Sequence, residues 1–272
     1  MIFAGVGEGA PPRVRAYFAE TGQLNFERTP FDAGFAGGVR VAAGDVNADA
    51  WPDLIAAAGP NGGPHVQVLD GKTGNPIAGP LGSFFAYDKS FKGGVYVASG
   101  DADGDGWADV ITAAGKGGGP HIKVFSGQTG KEIASFFAFS PDFKGGATVA
   151  AADFTGDGKV DLAVGAGEGG APHVRIFDLT TQDVIAGPLG SFLAFDKSFK
   201  GGVSTGTDWQ TGDVTGDGRA DLVVAAGVGG GAARQGVRRG ERAGGAEFPG
   251  VRRGHDGRGA RRHGVRDGRP LC

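Results

Sequence analysis

GGVYVASGDADGDGWADVITAAG, residues 93–115, decides how this chain is read. Two short apolar runs, Val95–Ser99 and Asp109–Ala114, flank an acidic, glycine-rich turn. Runs of that length, β-branched or small and bounded by Gly and Asp, predict strands rather than helices. The same pattern begins at Gly37, Gly145 and Gly201, so successive starts lie 56, 52 and 56 residues apart. The unit at Gly201 carries four extra residues in its first half. Beyond the quoted stretch two more runs follow, His121–Phe125 and Ser135–Phe139, and their counterparts are HVQVLDGKTG, HVRIFDLTT, SFFAYD and SFLAFD.

Four antiparallel strands in a unit of about 50 residues form one blade of a β-propeller. One such sheet cannot bury both of its faces, so the next must cover it. Small residues such as Ala57, Ala113 and Ala114 suit a second strand held between neighbouring sheets. A parallel β-helix has shorter coils than these units. The expected fold is all-β, a partial propeller. It divides into a partial blade at 1–36, blades at 37–92, 93–144 and 145–200, an incomplete blade at 201–231, and a tail at 232–272 that is disordered or poorly packed.

Composition agrees. Glycine supplies 56 of 272 residues, against a usual ~7%, which disfavours long helices. Cys272 is the single cysteine, which excludes a disulfide scaffold. No apolar run approaches ~18 residues, so membrane insertion is not expected. The net charge of −3 is an average: residues 232–272 hold 11 Arg and 4 acids, a balance of +7, which leaves −10 for residues 1–231.

Each unit places an acidic nonapeptide between its first and second strands: DVNADAWPD (45–53), DADGDGWAD (101–109), DFTGDGKVD (153–161) and DVTGDGRAD (213–221). Oxygen side chains recur at positions 1, 3, 5 and 9, and position 7 offers a carbonyl. That alternation wraps a loop round a hard cation, as in the first half of an EF-hand loop, but here between strands. The candidate ligands are Asp45, Asn47, Asp49, Trp51 and Asp53; Asp101, Asp103, Asp105, Trp107 and Asp109; Asp153, Thr155, Asp157, Lys159 and Asp161; and Asp213, Thr215, Asp217, Arg219 and Asp221. Position 7 contributes its main chain alone. Without Cys or His ligands the set favours Ca2+ over zinc, one ion per nonapeptide and up to four in all. Magnesium resists the dehydration an all-protein cage requires. A solvated Asx-Gly turn accounts for one such loop but not for four in phase. Loop 45–53 departs most, with Asn47, and with Ala50 where the others have Gly at a position suited to positive φ.

These motifs resemble the FG-GAP repeat proteins, which are related to VCBS repeats and to the integrin α-subunit propeller. Phe35-Ala-Gly-Gly, Phe91-Lys-Gly-Gly, Phe143-Lys-Gly-Gly and Phe199-Lys-Gly-Gly look like the FG side. Gly9-Ala10-Pro11 and Gly170-Ala171-Pro172 look like the GAP side, with Gly63-Pro64 and Gly119-Pro120 degenerate. Over residues 1–231 the resemblance implies a calcium-stabilised propeller, secreted or on a cell surface, that serves in adhesion or ligand binding. Integrin propellers have seven blades and carry disulfides, whereas this stretch has four units, a fragment and no cysteine.

The tail at 232–272 could be a basic arm for nucleic acid, but its own residues point elsewhere. Read one nucleotide further on, Gln235–Arg239 permit Lys-Val-Phe-Asp-Gly and Pro249–Arg252 permit Leu-Ala-Phe-Asp, the next expected repeat elements in order. The tail is therefore expected to be a frameshifted, non-native propeller segment, with no nucleic-acid partner. At the other end, IFAGVGEGAPPRVRAYF aligns with a second and third strand and lacks a signal peptide's basic and apolar regions. The N-terminus is expected to be incomplete.

Other candidates reduce to the repeat. His65, His121 and His173 share one slot a blade apart, which suits a strand-entry hydrogen bond. GVGEGA at 5–10 is the repeat's own turn with no helix behind it, and Asp88-Lys89-Ser90 recurs as Asp196-Lys197-Ser198. The rings of Trp51 and Trp107 suit packing between blades better than stacking on a sugar. The expectation is a non-enzymatic module that presents loops to an extracellular protein or glycan. The alternative is the propeller part of a polysaccharide-active enzyme or lectin, whose thin support is the insertion Thr205–Gln210.

Overall fold

A computed structural model describes residues 1–206 and 220–229 and the backbone of 234–237. It is built of antiparallel sheets in chain order. β1 (Ile2–Gly5), β2 (Val14–Tyr17) and β3 (Leu24–Arg28) form the first sheet. β4 (Val39–Gly44), β5 (Asp53–Ala58), β6 (His65–Leu69) and β7 (Phe84–Phe85) form the second, with a 3-10 turn at Pro80–Gly82. β8 (Val95–Gly100), β9 (Asp109–Ala114), β10 (His121–Phe125) and β11 (Glu132–Phe137) form the third. β12 (Ala147–Ala152), β13 (Asp161–Ala166), β14 (His173–Asp178) and β15 (Ser191–Leu193) form the fourth. β16 (Val203–Gly206), β17 (Leu222–Ala226) and β18 (Arg234–Val237) form the last, and β18 lies within the 232–272 stretch.

β4, β8, β12 and β16 pack side by side in sequence order, as the first strands of successive propeller blades do. Every residue of β5, β9 and β13 is buried. Their runs of alanine and β-branched residues fit because each sheet is covered on both faces. The apolar clusters fall between blades, not within them. One joins Ile55, Val66 and Val68 to Val95, Val97 and Val110, and another joins Ile111 and Val124 to Leu162, Val164 and Phe177. A lone blade would expose half of each cluster, which is why the units stack.

The Gly-Gly entry to each first strand is a contact with the blade before. Gly94 has φ 73° and Gly146 has φ 73°, and a Cβ on either would fall within 2.6 Å of the preceding blade's backbone at Gly59 or Gly115. Only glycine meets both demands. Beside it, Gly9, Asn61, Gly117 and Gly169 each donate a main-chain hydrogen bond of 2.8 Å to Ala36, Lys92, Lys144 and Lys200, the residues that lead into the next blade.

The fourth strand of the 93–144 unit spans Glu132–Phe137 rather than the expected 135–139. A tight turn, with Ser126 N donating to Lys131 O at 2.9 Å, starts the pairing early. A register shift at Val124/Phe125 absorbs the difference. The longer turn after β6 delays β7, which has two residues.

Candidate metal centre

The acidic loops lie between β4 and β5, β8 and β9, and β12 and β13. Position 9 opens each second strand, and the sheet buries it: Asp53 and Asp109 are 0% exposed and Asp161 is 2% exposed. Burial pushes these three carboxyls up to about 6, against the opposing pull of the amides that donate to them. Asp109 accepts from Ala102 N at 2.8 Å and from Gly127 N at 3.0 Å, so it ties the loop's start to the end of β10. Asp53 does the same through Val46 N at 3.0 Å and Gly71 N at 3.0 Å.

Position 1 organises the turn. Asp101 accepts from Asp105 N at 3.1 Å and Gly106 N at 2.9 Å, with Gly104 N on the same carboxylate. Gly104 and Gly106 have φ 84° and 89°. Loop 153–161 repeats the arrangement, Asp153 accepting from Asp157 N at 3.2 Å and Gly158 N at 2.9 Å. Loop 45–53 forces the same shape on residues with side chains: Ala48 has φ 55° and Ala50 has φ 65°. The positive φ foreseen at Ala50 is present, and Ala48 shares it.

Among the described residues, Asp101, Asp103 and Asp109 are the one set of three or more Asp, Glu, His or Cys whose ligand atoms all lie within 4.8 Å of one another. Calcium–oxygen distances of about 2.4 Å make that the span between opposite ligands of one Ca2+. Three carboxylates so close, one of them buried, are a donor set that fits a hard divalent cation. Asp105 is outside this set, and its carboxylate accepts from Trp107 N at 2.8 Å. In loop 153–161 position 3 is Thr155, a neutral oxygen held beside Asp161, whose carboxylate accepts from Thr155 N at 2.8 Å. Loop 45–53 does not bring three carboxylates together. Instead Lys72 Nζ lies 3.0 Å from Asp49 Oδ2. The loop at 213–221 lies outside the described residues except for Ala220 and Asp221, the latter 8% exposed.

Two contacts escaped the sequence reading. Lys72 occupies a repeat slot filled by Gln128 in the next unit, a difference visible on alignment. Lys159 Nζ donates to the Asp103 carbonyl at 3.2 Å, across a blade boundary that spacing alone does not reveal. The three repeated histidines are remote from the loops in role: Nε2 of His65, His121 and His173 meets the hydroxyl of Ser83, Ser135 and Ser191 at 2.8, 2.9 and 2.8 Å.

Among known proteins, residues 101–164 match the profile of the family described as FG-GAP-like repeat. No curated protein matches the chain in sequence. Solved structures that resemble it include the Dos1 propeller, at 12% identity and TM-score 0.47 over 79% of this chain and 49% of that one. An exotype rhamnogalacturonan lyase, YesX, matches at 13% identity and TM-score 0.46 over 81% and 40%. A rhamnogalacturonan lyase of Bacillus licheniformis matches at 13% identity and TM-score 0.46 over 81% and 41%. The chain spans about half or less of the length of these proteins. No helix among the described residues is long and apolar enough to cross a membrane. The matched stretch, residues 101–164, holds the acidic loops 101–109 and 153–161 and is similar to an FG-GAP-like repeat.

Proposed function

We propose that this chain is a non-enzymatic, calcium-stabilised propeller that presents its loops to an extracellular protein or glycan. The observation that carries the reading is the convergence of Asp101, Asp103 and Asp109 in a loop fixed between two strands. Asp101, Asp103 and Asp109 would hold the ion, and loop 153–161 would offer Asp153, Thr155, Asp157 and Asp161. The ion would supply cross-linking: it neutralises carboxylates that otherwise repel and offsets the entropy of ordering a glycine-rich loop.

The non-enzymatic part is supported by repetition. The His–Ser pairs recur in three blades, and Asp88 and Asp196 accept from Ser90 N and Ser198 N at 2.8 Å in matching turns. Polar groups that repeat with the blade serve the blade. A glycan and protein-ligand array run with and without Ca2+, beside a polysaccharide-turnover screen, tests the reading. Calcium-dependent retention of a ligand without turnover supports it, and turnover of a polysaccharide by the purified chain contradicts it.

A further inference from the structure

We propose that Lys72 is a built-in counter-ion that makes the first acidic loop independent of metal, so that calcium selects among loops of one repeat. The inference rests on the calcium reading above.

Lys72 Nζ lies 3.0 Å from Asp49 Oδ2 and donates to the Asp49 carbonyl at 3.3 Å. The ammonium therefore sits on position 5 of the loop and engages both its side chain and its main chain. Asp70 fixes the turn that carries Lys72, with Oδ1 accepting from Lys72 N at 3.1 Å and Thr73 N at 2.7 Å. Position 3 is Asn47, whose Nδ2 points toward Asp70 Oδ2 at 3.4 Å and Asp53 Oδ1 at 3.5 Å. Where loop 101–109 aims a carboxylate inward, loop 45–53 aims an amide donor.

The backbone is already held. Asp45 accepts from Asp49 N at 2.9 Å and Ala50 N at 2.8 Å, and Asn47 Oδ1 accepts from Asp49 N at 3.0 Å. The corresponding turn in the next unit carries Ser126 and Gln128, which bring no charge, and the one after carries Asp178 and Thr180. A cation entering loop 45–53 would have to displace an ammonium and meet an amide N–H where a ligand oxygen is required. Both contacts select against it, although the half-exposed ion pair contributes little to stability by itself.

The chain has three tryptophans, Trp51, Trp107 and Trp209, and the first two lie at position 7 of loops 45–53 and 101–109. Each can sensitise luminescence of Tb3+ bound in its own loop. The variant Trp51→Phe/Trp209→Phe reports loop 101–109, and Trp107→Phe/Trp209→Phe reports loop 45–53. The first should luminesce with Tb3+ and the second should stay dark. Adding Asn47→Asp and Lys72→Gln to the second should create a site that binds Tb3+ at least about tenfold more tightly, whereas Asn47→Asp with Lys72→Arg should leave it weak. Two results overturn the inference: Trp51-sensitised emission with Lys72 in place, or continued darkness after Asn47→Asp/Lys72→Gln in protein whose circular dichroism is unchanged. If the Trp107 reporter is dark as well, the calcium reading itself fails, and the inference falls with it.

Discussion

The Val160 amide donates to the Asp101 carbonyl at 3.1 Å, which joins the acidic loop of one blade to the acidic loop of the next. Ala108 N and Asp45 O form the matching link one blade earlier, at 3.0 Å. The main chains of successive acidic loops are thus tied directly to one another.

This link separates two kinds of aspartate. Asp109→Ala leaves the buried amides of Ala102 and Gly127 without acceptors, which costs about 2–4 kcal/mol in chelator already, before any loss of calcium stabilisation. Asp103→Ala removes an exposed carboxylate and should cost under about 0.5 kcal/mol in chelator. In calcium it should abolish the stabilisation arising from that loop. Urea unfolding of both variants in Ca2+ and in EGTA reads the difference.

The blade-entry glycines make a sharper structural prediction. A Cβ at Gly94 would lie 2.5 Å from the Gly59 carbonyl carbon, at a positive φ. Gly94→Ala should destabilise by more than about 2 kcal/mol. Gly117→Ala also sits at positive φ but meets nothing within 4 Å, and should cost about 1 kcal/mol. Thermal melts of the pair separate close approach from backbone conformation.

The repeated histidines set one pH dependence. Burial lowers the imidazole of His121 below its ordinary 6.5, and neighbouring Lys123 adds to the shift. The folded state thus binds fewer protons there than the unfolded chain. The contribution to stability is complete above 6.5 and is lost as pH falls through the folded value. The buried Asp53, Asp109 and Asp161 act oppositely in metal-free protein, gaining protons on folding between the usual carboxylate range and about 6. Subtracting His121→Gln isolates the imidazole: the destabilisation it causes should shrink from pH 7.5 to pH 5. An imidazole NMR titration with a midpoint above 6.5 would reverse the sign.

β18 bears on the tail. Its register sets Val237 opposite Leu222, the place Phe125 takes opposite Val110 and Phe177 takes opposite Leu162. The frameshift reading assigns phenylalanine to that position. Sequencing the gene should reveal a single-nucleotide change that restores the repeat from about Ala232 onward, and no such change being available would end the idea.

Much of this is legible in the sequence. The period and the four-strand order follow from a unit that alternates apolar runs with turn residues, whereas the burial of Asp53, Asp109 and Asp161 depends on the covering sheets. What stayed hidden depends on neighbours distant in sequence. Lys72 reaches back 23 residues to Asp49, and Lys159 crosses 56 residues to Asp103. Side-chain direction at those positions is set by blade stacking, which local pattern does not encode. The inequality of the loops, with Asn47, Asp103 and Thr155 at position 3, is by contrast visible in the sequence itself.

The central claim is that calcium staples this propeller through Asp101, Asp103 and Asp109. Differential scanning calorimetry of metal-stripped protein, titrated with Ca2+ and then with EGTA, tests it most directly. The account predicts a melting temperature that rises with Ca2+, returns in EGTA, and responds far less in Asp103→Ala. A melt that neither Ca2+ nor EGTA moves would contradict it.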